Sequence, residues 1–141
     1  MLRCVLVAVD DDPCSRLAAR HTFKLARAIG GTVTLLHVHR SDRAEAGHSL
    51  MHELSRYARR PPACLMMPTT AAVAPIILDT AMAIGAELIV IGLQGGTKQM
   101  GRTLGPVTFQ VLLNSPVPVQ VVGPGIDLDV SGGWGAVFPR N

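Results

Sequence analysis

A glycine-rich segment carries the clearest chemical signal in the sequence. It runs from Gly92 to Gly105 and also holds Lys98 and Arg102. Glycines let backbone N–H groups approach phosphate oxygens without a Cβ in the way. The helix that is predicted to begin at Pro106 would add the positive end of its dipole. These residue types predict a site for a phosphate-bearing ligand.

Three consecutive aspartates, Asp10 to Asp12, follow the first apolar run and precede Pro13. An Asp–Pro pair is typical of a helix start, because the carboxylate accepts from open backbone N–H groups and proline suits the first helical position. We therefore expect Asp12 to cap the first helix. Carboxylates also repel a triphosphate unless a divalent cation lies between them, so ATP bound here would require Mg²⁺.

Other reactive residue types give weaker patterns. His48 and His52 lie four residues apart on a predicted helix, a spacing that can hold a metal, but no third ligand accompanies them and we favour a solvated pair. His39 ends a predicted strand, where a ligand contact and a surface position both remain open. No Ser/His/Asp or Cys/His arrangement can be nominated, so we predict no catalytic residue.

Alternating strands and helices must position these residues. Apolar runs predict strands at residues 4–9, 32–39, 63–67, 88–91 and 118–122, and helical periodicity separates them. Runs that are apolar on both alternating faces indicate a parallel sheet covered on both sides, with right-handed βαβ crossovers. Ligands bind such sheets outside the carboxyl ends of the strands, where the strand order reverses. Asp10 and Gly92 stand at two of those ends.

Composition narrows the function classes. With 141 residues, 48% of them hydrophobic, the chain has the length of one domain with an aliphatic core. Aromatic residues are only 4% and the net charge only +3, with one local group at Arg56, Arg59 and Arg60 that we interpret as a solvated helix end. We expect no nucleic-acid partner.

The sequence also favours a cytoplasmic location. Its three cysteines are an odd number without CxxC spacing, which is typical of a reducing compartment. There is no signal-peptide pattern at the first residues, and no run approaches the ~18–20 apolar residues of a membrane span. We expect no membrane partner.

The spacing of the glycines is more specific than their number. Gly92, two residues, Gly95, nine residues and Gly105 follow one another in the manner of a nucleotide-binding motif. The surrounding runs are Val7-Ala-Val-Asp10, Leu35-Leu-His-Val38, Glu87-Leu-Ile-Val-Ile-Gly92 and Pro116-Val-Pro-Val-Gln-Val-Val122. Over about residues 1–122 the sequence resembles the universal stress protein family, whose nucleotide-binding members carry this spacing.

The resemblance implies an α/β fold. It is a single-domain open parallel sheet of five strands in order 3-2-1-4-5, with helices on both faces in a Rossmann-like arrangement. Residues 1–123 would form the domain and residues 124–141 a C-terminal extension or arm. The arm, with its alternating Ile126, Leu128 and Val130, would either pack on a partner subunit or fold back on its own domain.

The resemblance also implies a binding site and a role. Adenine would lie at Asp10 and Val38, and the ribose and phosphates at the motif glycines and the start of the following helix: Gly92, Gly95, Gly105 and Val107. The implied function is a non-catalytic module that binds ATP or AMP, with Mg²⁺ if ATP, in a regulatory stress response. A homodimer through the last strand and the C-terminal arm is implied, together with an unidentified protein partner.

Two departures from the family pattern leave alternatives open. Pro106 stands where the motif ends in Ser or Thr, which removes both a hydroxyl and a backbone N–H, although Thr108 could supply a hydroxyl nearby. Asp11-Asp12 stands where the family often has Gly-Ser. A dimerisation or scaffold domain that has lost nucleotide binding is therefore the alternative. An ATP-dependent enzyme of the wider superfamily is a third, disfavoured because the catalytic loop after strand one is missing.

Overall fold

Five parallel strands form one sheet in order β3-β2-β1-β4-β5, which confirms the predicted fold class and strand order. The computed structural model describes residues 3–93, 104–126 and 128. The strands are β1 (Cys4–Ala8), β2 (Thr32–His39), β3 (Ala63–Pro68), β4 (Leu88–Gly92) and β5 (Val119–Val122). The helices are α1 (Pro13–Ile29), α2 (Ala44–Ser55), α3 (Val73–Ile84) and α4 (Pro106–Asn114), with a 3₁₀ turn at Ser41–Arg43.

The central strands are apolar on both faces because both faces are covered. Val5 and Val7 of β1 pack in a core with α1 and α2, whereas Leu6 and Ala8 pack in a second core with α3 and α4. Side chains alternate between the faces of a strand, so the unbroken apolar run of β1 supplies both cores.

Two helices begin or end at the capping residues that the sequence predicts. The Cys14 N–H donates to Oδ1 of Asp12 at 2.7 Å, so Asp12 caps α1 as expected, with Pro13 in the first helical position. Gly30 and Gly85 end α1 and α3 at φ values of 73° and 69°, in the left-handed region that favours glycine. Among the helices of the described residues, none is long and apolar enough to cross a membrane.

The start of the C-terminal extension lies against the domain. Ile126 packs on the core that α1 and α2 share, which agrees with the arm folding back at that residue. Residues 129–141 lie outside the described residues, so the division at residue 123 and the role of the arm stay predictions.

A buried histidine on α1 makes the stability of the fold depend on pH. Burial lowers the pKa of His21 below its ordinary value of 6.5, a hydrogen bond with Gln120 opposes this shift, and the charge of Lys24 adds to it. The folded imidazole therefore stays neutral to a lower pH than the unfolded one. The unfolded chain binds the extra proton between the two pKa values, which favours unfolding there.

We expect the free energy of unfolding to fall as the pH drops from 8 through 6.5 and below. One proton accounts for a slope of at most about 1.4 kcal/mol per pH unit. The His21→Phe variant should lose that part of the slope, as urea unfolding at several pH values would measure. An unchanged slope in the variant would assign the acid sensitivity to other groups.

Candidate functional site

Hydrogen bonds join the carboxyl ends of β1 and β2 at the edge of the sheet. The Val9 N–H donates to the Leu36 carbonyl at 2.8 Å, and Nδ1 of His37 lies 2.8 Å from the Val9 carbonyl oxygen. The bond to His37 fixes the last residue before Asp10. Val38 follows on β2, where its half-buried side chain packs on the core that α3 and α4 share.

Asp10 is held by a small hydrogen-bond network. Its Oδ1 accepts from the Asp12 N–H at 2.8 Å and from the Ser15 hydroxyl at 2.9 Å. The Asp10 N–H in turn donates to Oγ of Ser15 at 3.0 Å. All three bonds use Oδ1 or the backbone N–H of Asp10, so the network orients the half-buried carboxylate, and among the described residues no hydrogen bond reaches Oδ2.

A crevice lies between the carboxyl ends of β1 and β4. Gly92 ends β4 and forms the second side of this crevice, where it packs directly on the start of α1. A Cβ on Gly92 would lie 2.9 Å from the carbonyl carbon of Cys14 and 3.0 Å from the backbone N of Ser15. Real Cβ atoms essentially never approach that closely. Because Ser15 also binds Asp10, the ends of β1 and β4 meet through the first turn of α1.

The start of α4 lies beside the end of β4. The Gly105 N–H donates to the Leu93 carbonyl at 2.9 Å, and the Phe109 N–H is the first to donate back along the helix, to Gly105 at 2.9 Å. Pro106 occupies the first helical position, is exposed and has no N–H. The N–H groups of Val107 and Thr108 precede the first helical bond, so α4 itself does not use them.

Thr108 does not replace the hydroxyl that the motif lacks. Its side chain is fully buried, and its Oγ1 donates to the Gly92 carbonyl at 2.7 Å. A hydroxyl has one hydrogen to donate, and Thr108 uses it to join α4 to β4. The suggestion that Thr108 supplies a phosphate donor is therefore wrong.

Replacing Thr108 by the isosteric valine should destabilise the fold. The Gly92 carbonyl would lose its buried partner, at a cost of about 1–3 kcal/mol in the free energy of unfolding. Thr70 is exposed, so Thr70→Val is the matched control and should change stability by no more than about 0.5 kcal/mol. Urea unfolding of both variants measures the difference, and equal stabilities would contradict a structural role for the Thr108–Gly92 bond.

Like Asp10, the other two aspartates have partners of their own. Asp12 caps α1, and Asp11 forms an ion pair with Arg16 at 3.1 Å. Arg16 also contacts Glu53 of α2 at 3.0 Å, which links the two helices. Opposite charge beside Asp11 and helix N–H groups beside Asp12 reduce the repulsion that these carboxylates would exert on a phosphate.

The remaining predicted positions separate into three groups. His48 and His52 are exposed, and the described residues contain no group of three side chains suited to a metal. His39 is half-buried, with Nδ1 2.7 Å from the Arg40 carbonyl oxygen. Gly95, Lys98 and Arg102 lie outside the described residues. The structure thus joins Asp10 to Gly92 through Ser15 and joins Gly92 to the start of α4, where Val107 lies, whereas Val38 lies near the end of the neighbouring strand β2.

Two residues that build the site carry no clear signal in the sequence. Ser15 joins Asp10 to α1 across five positions, a distance that no short capping pattern covers. Gly47 lets α2 approach β2, because a Cβ there would lie 2.6 Å from both Cδ2 of His37 and Cε of Met66. A glycine inside a helical pattern is the one hint of such a close approach.

The chain is similar to known proteins in both sequence and fold. The model of the universal stress protein family matches residues 1–61 and 69–123. Universal stress protein UspA from Lactobacillus plantarum is 23% identical with a TM-score of 0.71, and the match covers 86% of this chain and 97% of that one. No curated protein matches the chain.

Two further solved structures share the fold. A universal stress protein in complex with cAMP is 21% identical with a TM-score of 0.70, over 86% of this chain and 97% of that one. The universal stress protein from Archaeoglobus fulgidus in complex with dAMP is 20% identical with a TM-score of 0.68, over 86% of this chain and 99% of that one.

Proposed function

The chain belongs to the universal stress protein family, and from that premise we propose that it binds an adenine nucleotide as a regulatory, non-catalytic module. Adenine lies against Asp10 and Val38 at the ends of β1 and β2. The ribose and phosphates lie along Gly92, Gly95 and Gly105 and the start of α4 at Val107. ATP and AMP are the candidate ligands, with Mg²⁺ accompanying ATP.

The main support for this proposal is that contacts join β1, β4 and α4 around one crevice. Ser15 binds Asp10 and packs on Gly92, and Thr108 fixes the start of α4 to the Gly92 carbonyl. A crevice at the carboxyl ends of central parallel strands is the usual ligand site of such sheets. The contacts hold its walls in place, so little ordering of those residues is needed when a ligand binds.

The phosphate end of the site uses backbone groups. The first N–H groups of α4 and the positive end of its dipole favour negative charge. Val107 and Thr108 supply two such N–H groups, whereas Pro106 supplies none. We therefore expect phosphates to contribute less to affinity than they would with a serine at position 106.

The ligands of two structural relatives support the choice of an adenine nucleotide. One was solved in complex with cAMP and the other in complex with dAMP. Both carry adenine and a single phosphate, and neither requires the longer phosphate chain that Pro106 disfavours. AMP is thus the ligand for which we expect the smallest effect of Pro106.

A regulatory role follows from how the ligand would act on the chain. A nucleotide bound beside Gly92 and Gly105 would change the surface that a protein partner meets. None of the three cysteines forms a disulfide, which is typical of a reducing compartment, and we propose a cytoplasmic location.

We further propose a homodimer through β5. This strand lies at the edge of the sheet, where exposed backbone groups invite pairing with another chain. Beside it, α4 exposes Phe109 and Leu113, whose side chains are 47% and 64% exposed. Sedimentation equilibrium at micromolar concentration should give twice the chain mass, and a monomer under those conditions would contradict the dimer.

Pro106 also supports a second candidate, a scaffold domain of the same fold that no longer binds nucleotide. The lost hydroxyl is not restored by Thr108, since that side chain is committed to Gly92. Under this alternative the crevice is only structural and the dimer is the functional unit.

Isothermal titration of the purified chain with AMP, ADP and ATP, each with and without Mg²⁺, separates the two candidates. Binding at micromolar concentrations, with GTP as a weaker control, is the expected result. Heat indistinguishable from dilution for all three adenine nucleotides, in folded protein, would leave the scaffold domain.

A further inference from the structure

A second cavity lies at the opposite end of the sheet from the nucleotide site. It is bounded by the end of α1, the start of β2 and the connection between α2 and β3, and its volume is about 950 Å³. Small-molecule sites have volumes of about 300–1,000 Å³, so the cavity is large enough for an organic ligand. Nothing in the proposed nucleotide site uses these residues.

Positive charge dominates the rim of this cavity. Lys24 and Arg27 come from the last turns of α1, and Arg59 and Arg60 come from the connection that leads into β3. No acidic residue is among the described residues that line the cavity. Within the described part of the chain none of the four cations is paired with a carboxylate, since the ion pairs there involve Arg16.

The dipole of α1 does not account for the positions of all four cations. A cation in the last turn of α1, such as Arg27, is favoured by the helix dipole alone. Arg59 and Arg60, however, follow the end of α2 and precede Pro61-Pro62, which restricts the backbone of Arg60 to extended conformations. Arg20 stacks on the Tyr57 ring at 5.0 Å and joins α1 to this connection.

Apolar side chains form part of the wall of the cavity. Phe23 and Val33 belong to the core below it, and Ala58 and Pro61 lie on the connection between α2 and β3. A free phosphate ion would leave this surface wet, whereas an apolar group would cover it. We propose that the cavity binds a small molecule in which a phosphate or diphosphate group is attached to an apolar body.

The cations would contact the anionic group of this ligand. Guanidinium groups match phosphate oxygens in pairs of hydrogen bonds, and Arg59 and Arg60 are adjacent in the chain. Asp10, Asp11 and Asp12 follow β1 and lie at the other end of the sheet, beside the nucleotide crevice. The charge distribution therefore favours a second anion at the basic end, independent of the nucleotide.

Hexyl diphosphate is a suitable probe, because it combines both chemical parts in a soluble molecule. In ¹H–¹⁵N NMR spectra of the full chain it should shift the amide signals of Gly30 and Gly31, which line the cavity, in a saturable way. The amides of Gly92 and Gly105 at the nucleotide crevice should not move. Inorganic pyrophosphate should bind about tenfold more weakly, since it buries no apolar surface.

The double variant Arg59→Gln/Arg60→Gln should weaken binding of hexyl diphosphate by about tenfold or more. The matched control is Arg40→Gln/Arg43→Gln, which removes two exposed arginines after β2, at the other end of the sheet, and should leave binding unchanged. Equal weakening in both double variants would mean only general attraction between opposite charges and would overturn the proposal. Shifts confined to Gly92 and Gly105, no saturable shift, or equal affinity for pyrophosphate would overturn it as well.

Discussion

Gly92→Ala should weaken nucleotide binding and destabilise the fold. The new Cβ would meet the Cys14 carbonyl carbon at 2.9 Å and the Ser15 backbone N at 3.0 Å, and backbone atoms cannot rotate away as a flexible side chain can. The start of α1 must therefore move away from β4. Forcing one extra carbon into such a contact costs about 1–3 kcal/mol.

The loss of binding follows from the same movement. Ser15 holds Asp10 through two hydrogen bonds, so displacing α1 also displaces the carboxylate at the proposed adenine end of the site. We expect the affinity of the folded variant for AMP to fall by at least about tenfold, equivalent to ~1.4 kcal/mol. Urea unfolding and titration with AMP give the two quantities separately.

Gly125→Ala is the matched control, because a Cβ at Gly125 meets nothing within 4 Å. It should preserve both stability and AMP binding. If Gly92→Ala behaved like this control in both measurements, the close packing of β4 on α1 would have no part in the site.

Pro106→Ser should strengthen ATP binding, which is the second large effect. Serine restores the N–H at the first position of α4 and adds the hydroxyl that the family motif carries at this point. A hydrogen bond to a charged group contributes roughly 1.5–3 kcal/mol, so even one new bond raises affinity about ten- to a hundredfold. Position 106 is exposed, so the substitution should not disturb the core.

Pro106→Ala separates the two donors. Alanine restores the N–H without the hydroxyl, so its gain in affinity should lie between the natural chain and Pro106→Ser. Titration of the three proteins with ATP measures this order. Equal affinities would show that the phosphates do not reach the start of α4. Binding by Pro106→Ser alone would instead support the scaffold candidate.

Much of the fold could be predicted because its signals are local. The apolar runs of β1 and β4 reflect burial on both faces, and Asp12, Gly30 and Gly85 mark helix ends through capping chemistry that acts within a few residues. The strand order required the family resemblance, since alternation of strands and helices allows several orders.

The details of the site depend on contacts between distant segments. Thr108 had the chemistry of a phosphate donor in the sequence, but burial of α4 against β4 brings its hydroxyl to the Gly92 carbonyl instead. Ser15 and Gly47 matter only because α1 and α2 approach the strand ends. No short pattern contains these contacts.

The basic cavity illustrates the same difficulty. In the sequence, Arg59 and Arg60 indicate a solvated helix end, because nothing local connects them with Lys24 and Arg27. The fold brings the end of α1 and the α2–β3 connection together and places all four cations around one cavity. Two pairs of positive charges that are far apart in the sequence therefore lie close together in the fold.

The most direct test of nucleotide binding is a ¹H–¹⁵N NMR titration of the natural chain with ATP and Mg²⁺, because it reports both affinity and location. The predicted result is saturable shifts of the Gly92, Gly105 and Val107 amides, with Gly30 and Gly31 unmoved. A spectrum that neither ATP nor AMP changes, or shifts confined to Gly30 and Gly31, would contradict a nucleotide site at the carboxyl ends of the strands.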